Sequence, residues 1–103
     1  MYVDFRAGNK DYKLRLNTRA VILLEERLGY NPLHIFGDGS TTPKVTAMID
    51  VLYASLQQYH TMSIDDTYEL FDMWLAEGNT PPEFLPIIIE IYKVSGLVKN
   101  KKN

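Results

Sequence analysis

The 103-residue chain contains no cysteine, which excludes both a disulfide framework and a thiolate metal site. It also has no apolar run near the roughly 18 residues that a membrane-spanning helix needs, and its first residues lack the pattern of a signal peptide. Its length suits one domain with a single modest core, which we assign to residues 1–98. These features predict a soluble protein of a reducing, cytoplasmic compartment.

Motifs for catalysis and cofactor binding are missing as well. There is no nucleophile elbow, no His-Glu-x-x-His zinc motif, no metal-ligand spacing and no nucleotide-binding fingerprint. His34 and His60 have no sequence neighbours that would complete a catalytic group, and His60 is expected at a helix C-terminus, where a cation suits the dipole. We therefore predict a non-enzymatic interaction protein without a cofactor or metal.

Charge is small in total and uneven along the chain. The formal net charge is −2, yet residues 1–27 hold six Lys and Arg against four Asp and Glu, residues 28–98 hold two against nine, and residues 99–103 hold three Lys. An acidic body argues against nucleic-acid binding, which needs clustered Lys and Arg. Two interpretations stay open: a solvated acidic surface, and head-to-tail self-association of a basic end with an acidic body.

The first residues predict a β-hairpin with strands at about 2–6 and 11–16. Gly8-Asn9 fits a two-residue loop, and glycine in first place favours a type II′ turn. The resulting cross-strand pairs are Phe5 with Tyr12 and Val3 with Leu14 on the buried face, and Arg6 with Asp11, Asp4 with Lys13 and Tyr2 with Arg15 on the wet face. A one-residue slip would lose all of them. The apolar side chains of the hairpin must then pack on helices, or its free edges must pair with another strand.

Four helices are predicted after the hairpin. Caps and breakers place them at about 18–28, 43–60, 64–76 and 81–96, with a short helical turn at 32–36. Asn17 or Thr18 caps the first helix and Gly29 ends it, while Pro43 takes the first position of the second. The predicted fold class is therefore α+β, mostly α.

The first three helices each have one apolar stripe. These stripes are Ala20, Val21, Leu24 and Leu28 in the first; Val45, Met48, Ile49, Leu52, Leu56 and Tyr59 in the second; and Ile64, Tyr68, Phe71 and Leu75, beside Trp74, in the third. Each stripe predicts packing on one side only. Ile22 falls outside the first stripe, so something other than that core is expected to cover it.

The fourth helix is apolar around most of its circumference. Its apolar residues between Phe84 and Val98 cover about 220° of the helical wheel at about 100° per residue, so it is either central in the fold or covered by a partner. Pro86 should kink this helix or mark its true first turn. Because β-branched residues are frequent here, a strand over 86–94 stays open as an alternative.

Several short runs resemble one protein family. They are Ala7-Gly8, Tyr12 to Ala20, Leu24-Glu25, Leu28-Gly29, Asn31 to Phe36, Ala54 to Gln57 and Val94 to Gly96. Together they resemble the small tail assembly chaperones of long-tailed, siphovirus-type phages and prophages of Gram-positive bacteria. The resemblance spans most of the chain and is dense from residue 7 to 36, and none of the runs is a catalytic signature.

The resemblance implies a chaperone that binds the tape measure protein and helps recruit tail tube subunits in the cytoplasm of the bacterial host, and that is absent from the mature virion. Such proteins are commonly made in two lengths by programmed frameshifting. The predicted basic, flexible tail over 99–103 ends in Lys101-Lys102-Asn103, which can be encoded with the slippery heptamer A AAA AAC. A small helical adaptor or regulatory domain unrelated to tail assembly stays the alternative.

The candidate protein-binding residues are those that the predicted core leaves unexplained, together with part of the apolar excess of the fourth helix. They are Arg15, Arg19, Ile22, Leu85, Ile89 and Tyr92. We expect client binding and self-association through such apolar surfaces, with no nucleic-acid or membrane partner.

Overall fold

The computed structural model describes residues 1–39 and 42–99, in which a two-stranded antiparallel hairpin is followed by four α-helices. The elements are β1 (Val3–Ala7), β2 (Lys10–Leu14), α1 (Thr18–Leu28), α2 (Val45–Leu56), α3 (Ile64–Ala76) and α4 (Leu85–Val94), with short 3₁₀ turns at Pro32–His34 and Pro81–Phe84. The α+β, mostly α fold class is confirmed. The predicted basic tail, with its slippery codons, lies outside the described residues after Lys99.

The register of the hairpin is the predicted one. Val3 pairs with Leu14, Asp4 with Lys13, Phe5 with Tyr12 and Arg6 with Asp11, although the strands cover 3–7 and 10–14 rather than 2–6 and 11–16. The predicted turn type is wrong, because Gly8 and Asn9 both have positive φ, 59° and 62°. Two left-handed residues make a type I′ turn, which Asn9 allows because asparagine tolerates this conformation.

The predicted pair of Tyr2 with Arg15 does not form. β2 ends before Arg15, whose backbone N–H donates to the Ser55 carbonyl of α2 at 2.9 Å. Lys13 supplies the cation instead, with its Nζ 4.9 Å from the ring centroid of Tyr2 and 5.8 Å from that of Tyr59. The wet face of the hairpin is thus tied to the segment that follows α2.

Capping side chains precede α1 and α3, which begin at the predicted positions 18 and 64. The Asn17 side chain accepts from the Ala20 N–H at 2.9 Å, and Gly29 ends α1 with φ of 80°. At α3, the Ser63 hydroxyl accepts from the Asp66 N–H at 3.0 Å. Each cap satisfies an N–H that has no partner within its own helix, so these boundaries follow from local chemistry.

α2 is the central helix, and its predicted one-sided stripe is wrong. Asp50 and Ala54, which lie off that stripe, are buried, whereas Val45 and Tyr59, which lie on it, are exposed. The reason is that α2 contacts α1, α3, α4 and β2. Polar residues on such a helix need partners, and the Ser55 hydroxyl finds one locally by donating to a carbonyl in the preceding turn.

α2 is also shorter than the predicted 43–60. Its N-cap is Lys44, so the buried Pro43 precedes the helix instead of opening it. After the last residue of α2, the Gln57 side chain donates to the Met62 carbonyl at 2.9 Å. This bond stabilises a turn where the prediction continued the helix.

The predicted helix over 81–96 is divided at its proline. A 3₁₀ turn covers the first four residues, and Pro86 then lies in the first turn of α4. In one continuous α-helix the Pro86 ring would clash with the carbonyl of Pro82. The prediction that this proline marks a true first turn is confirmed, and the alternative of a strand over 86–94 is wrong.

α3 turns a different face inward than predicted, since Tyr68 is exposed. The residues of α3 that are buried are Thr67, Leu70, Phe71 and Trp74. This face meets an aromatic cluster whose ring centroids lie 5.5 to 6.1 Å apart and whose members are Phe5, Phe71, Trp74 and Phe84. Thr67 is accommodated because its hydroxyl donates to the Ser63 carbonyl at 2.9 Å. Contact with the hairpin and the 3₁₀ turn thus selects the buried face.

Candidate protein-binding groove

A two-lobed groove, here called the α2 groove, lies on either side of the first turns of α2. The first lobe has a volume of about 540 Å³ and is bounded by the end of α1, the segment around the Pro32–His34 turn and the start of α2. The second has about 400 Å³ and is bounded by the start of α2, α3 and Pro81. Arg27, Thr46 and Asp50 line both lobes, so the lobes are adjacent.

An ion pair lies where the two lobes meet. Arg27 Nε donates to Asp50 Oδ1 at 2.8 Å, with the side chains 33% and 6% exposed respectively. The Arg27 guanidinium also lies 5.0 Å from the ring centroid of Tyr53, within cation–π range. A carboxylate buried to this extent needs a charged or hydrogen-bonding partner. The pair therefore joins the end of α1 to α2 and makes the boundary between the lobes polar.

Large apolar side chains are exposed along both lobes. Tyr30 lines the first lobe, and Val45 and Tyr68 line the second. Exposed apolar side chains beside a concave lining are typical of binding surfaces. None of these residues was a predicted site residue, because Val45 and Tyr68 were assigned to core stripes. The signal for Tyr68 was its spacing from Asp65 and Asp72, which places it on the charged face of α3.

The two lobes carry different charged groups. Lys44 lines the first lobe, together with Arg27 of the central ion pair. Asp72 lines the second lobe and Lys44 does not. Apart from the shared pair, the groove thus has a basic end and an acidic end.

On the α1 side, the structure places all three predicted site residues outside the α2 groove. Arg19 and Ile22 are exposed, and Ile22 is 51% exposed, as expected for a residue outside the core stripe. Arg15 is half-buried, and its Nη1 donates to Gln58 Oε1 at 3.4 Å. Ile22 and Arg19, which lie three residues apart on α1, therefore form a second candidate surface.

On α4, the three predicted site residues differ in accessibility. Ile89 is exposed, while Leu85 is half-buried against the core. Tyr92 is buried, and its hydroxyl donates to the Pro32 carbonyl at 2.8 Å; burial raises the pKa of Tyr92 well above its ordinary value, so the phenol stays neutral. Tyr92 therefore links α4 to the Pro32–His34 turn and is not available to a partner.

His60 has a structural role that differs from the predicted one. Its Nε2 accepts a hydrogen bond from the Lys13 backbone N–H at 2.9 Å, which requires that this nitrogen carry no proton. Burial lowers the pKa of His60, and the charges of Lys13 and Lys10 lower it further. The prediction of a cation at a helix end is therefore wrong, because His60 is a neutral acceptor that holds β2.

Within residues 1–39 and 42–99, no group of three or more His, Asp and Glu side chains could hold a metal ion. The helices of that same part of the chain are too short and polar for any of them to cross a membrane. Comparison with protein-family models, curated proteins and solved structures finds no match. The α2 groove and the exposed side chains of α1 and α4 are the candidate binding surfaces of the described residues.

Proposed function

We propose that the protein is a phage tail assembly chaperone that binds helical segments of the tape measure protein and helps recruit tail tube subunits, without enzymatic activity. It acts in the cytoplasm of a bacterial host and is absent from the finished virion. The resemblance of residues 7–36 to these chaperones supports the assignment to tail assembly. The observation that carries the binding role is the α2 groove, with the exposed Val45 and Tyr68 beside its apolar lining.

An amphipathic helix of the client suits the shape and chemistry of the groove. Such a helix presents apolar side chains at spacings of three and four residues, which can enter two adjacent lobes in succession. The Arg27–Asp50 pair lies between the lobes. The residue of the client helix that faces this pair should therefore be small or polar. Lys44 at one end and Asp72 at the other give the bound helix a direction, with an acidic client residue near Lys44 and a basic one near Asp72.

Co-expression with the tape measure protein is the direct test. We expect the two proteins to co-purify and to elute together from size exclusion, with more soluble tape measure protein than when it is expressed alone. If the pair separates and the client is equally insoluble in both cases, the chaperone proposal fails. A gene for a large helical-repeat protein immediately downstream would support the proposal, and its absence would favour an adaptor or regulatory domain.

Two variants matched in exposure locate the client surface. Tyr68 in the groove and Ile22 on α1 are each 51% exposed, so Tyr68→Asp and Ile22→Asp each place a carboxylate where a half-exposed large side chain stands. We expect Tyr68→Asp to weaken client binding at least about tenfold, the factor that corresponds to about 1.4 kcal/mol, with little change in thermal stability. If Ile22→Asp alone weakens binding, the client binds the α1 surface and the groove assignment is wrong.

A further inference from the structure

The two outer edges of the hairpin differ in how their backbone groups are used. On the β2 edge, the Lys13 N–H donates to His60 Nε2 at 2.9 Å. Just beyond the strand, the Arg15 N–H donates to the Ser55 carbonyl at 2.9 Å. The end of the β2 edge nearest α1 is therefore covered by the end of α2 and the residues that follow it.

The β1 edge is open. The two-residue loop makes Ala7 and Lys10 a hydrogen-bonded pair, and such pairs alternate along an antiparallel ladder. The backbone N–H and C=O groups of Asp4 and Arg6 therefore point away from β2. Among the described residues, no donor or acceptor meets these groups. A strand edge of this kind is a template for pairing with another strand.

We propose that β1 pairs antiparallel with β1 of a second copy of this chain, so that the two hairpins form one four-stranded sheet. A two-fold axis at Phe5 places Asp4 of each copy opposite Arg6 of the other. Both backbone groups of Asp4 and of Arg6 are then paired. This self-association lies outside the α2 groove and does not depend on the proposed chaperone function.

The charges across the proposed sheet alternate. On the wet face, each row runs from Lys13 to Asp4 of one copy and then to Arg6 and Asp11 of the other, which is positive, negative, positive, negative. Within one copy, Lys13 Nζ is directed at the rings of Tyr2 and Tyr59. Arg6 is exposed although it already binds Asp11 at 2.9 Å, so its guanidinium can also donate to a second carboxylate.

The same charges disfavour the neighbouring alignments of β1 with β1 of the second copy. Moving the axis from Phe5 to Asp4 places two aspartates opposite each other, and moving it to Arg6 does the same with two arginines. Like charges directly opposite destabilise a strand pair. The sequence Asp4-Phe5-Arg6 therefore favours one register, and the complementary partner of that edge is its own copy.

Charge reversal on the edge tests the proposal. In Asp4→Arg, arginines face each other across the dimer; in Arg6→Asp, aspartates do. We expect the average molecular mass of the wild-type protein in solution to rise from that of the monomer, 11.9 kDa, toward twice this value as its concentration rises to the millimolar range. Each variant alone should stay monomeric. An equimolar mixture of the two variants restores opposite charges at both positions and should dimerise, which native mass spectrometry reads out directly.

Two further variants separate pairing from folding and from net charge. Glu69→Arg makes the same charge change as Asp4→Arg on the exposed side of α3 and should dimerise like the wild type. Asp4→Pro removes one outward N–H without removing a hairpin bond, and this variant should be monomeric with a folded circular dichroism spectrum. The proposal is overturned if the wild type stays monomeric, if folded Asp4→Arg or Asp4→Pro dimerises normally, or if the mixed variants do not associate.

Discussion

α2 and α4 are both strongly apolar helices, yet they are buried in different ways. α2 is enclosed by α1, α3, α4 and β2, so that even its Asp50 is buried. α4 is fully buried at Ile88 and Ile91 and leaves Ile89 exposed on the other side. The comparison shows that the number of elements that surround a helix, rather than its own apolar content, decides which helix is central.

The largest difference should appear when matched side chains are truncated in the two helices. Leu52→Ala in α2 removes a fully buried side chain, and we expect a loss of about 2–5 kcal/mol in the free energy of unfolding. Ile89→Ala in α4 removes an exposed one, with an expected change within about 0.5 kcal/mol. Urea denaturation of both variants checks this. Similar losses would show that Ile89 is packed against the fold rather than exposed.

The ion pair of α2 should respond unequally to removal of its two partners. Arg27→Met leaves the buried Asp50 carboxylate without its partner, and we expect a loss of about 1–3 kcal/mol, reduced from the value for a fully buried pair because Arg27 is partly exposed. Asp50→Asn leaves Arg27, whose partly exposed guanidinium can be hydrated, so the loss of unfolding free energy should be smaller. Denaturation of the two variants side by side measures the difference. A larger loss for Asp50→Asn would contradict the asymmetry of burial.

The bond between His60 and β2 should make stability depend on pH. Because the pKa of His60 is lowered in the folded protein, the unfolded chain binds more protons on acidification. The contribution of His60 is therefore complete above the unfolded pKa of about 6.5 and is lost as the pH falls through the lower folded pKa. Melting temperatures of the wild type and His60→Gln between neutral and mildly acidic pH test this. An equal pH slope in both proteins would rule out His60 as its source.

The smallest effect on stability is expected at Ile22. Ile22→Asp replaces an exposed residue of α1, so the free energy of unfolding should change by no more than about 0.5 kcal/mol, while binding of a client or a second copy weakens if this surface is used. Thermal melts and a binding assay on the same preparation separate the two effects. A large loss of stability would show that Ile22 is ordinary core.

Part of the fold could be predicted because short-range chemistry determines it. The register of the hairpin follows from alternating side chains and a two-residue loop, and α1 and α3 begin where Asn17 and Ser63 satisfy backbone N–H groups. The exposure of Ile22 followed from helical periodicity. The α2 groove could not be predicted, because it forms where α1, α2 and α3 meet, although the acidic neighbours Asp65 and Asp72 were a local signal that Tyr68 is exposed.

The sequence by itself determined the register of the hairpin, the starts of α1 and α3 and the charge pattern of Asp4-Phe5-Arg6, since each depends on a short stretch of chain. Only the tertiary structure decided that α2 is central, that Tyr92 is internal and that residues after α2 cover the β2 edge at Lys13 while the β1 edge is open. Those features depend on which elements meet across long separations in the chain. A single helix or strand pattern carries no information about how many neighbours it will have.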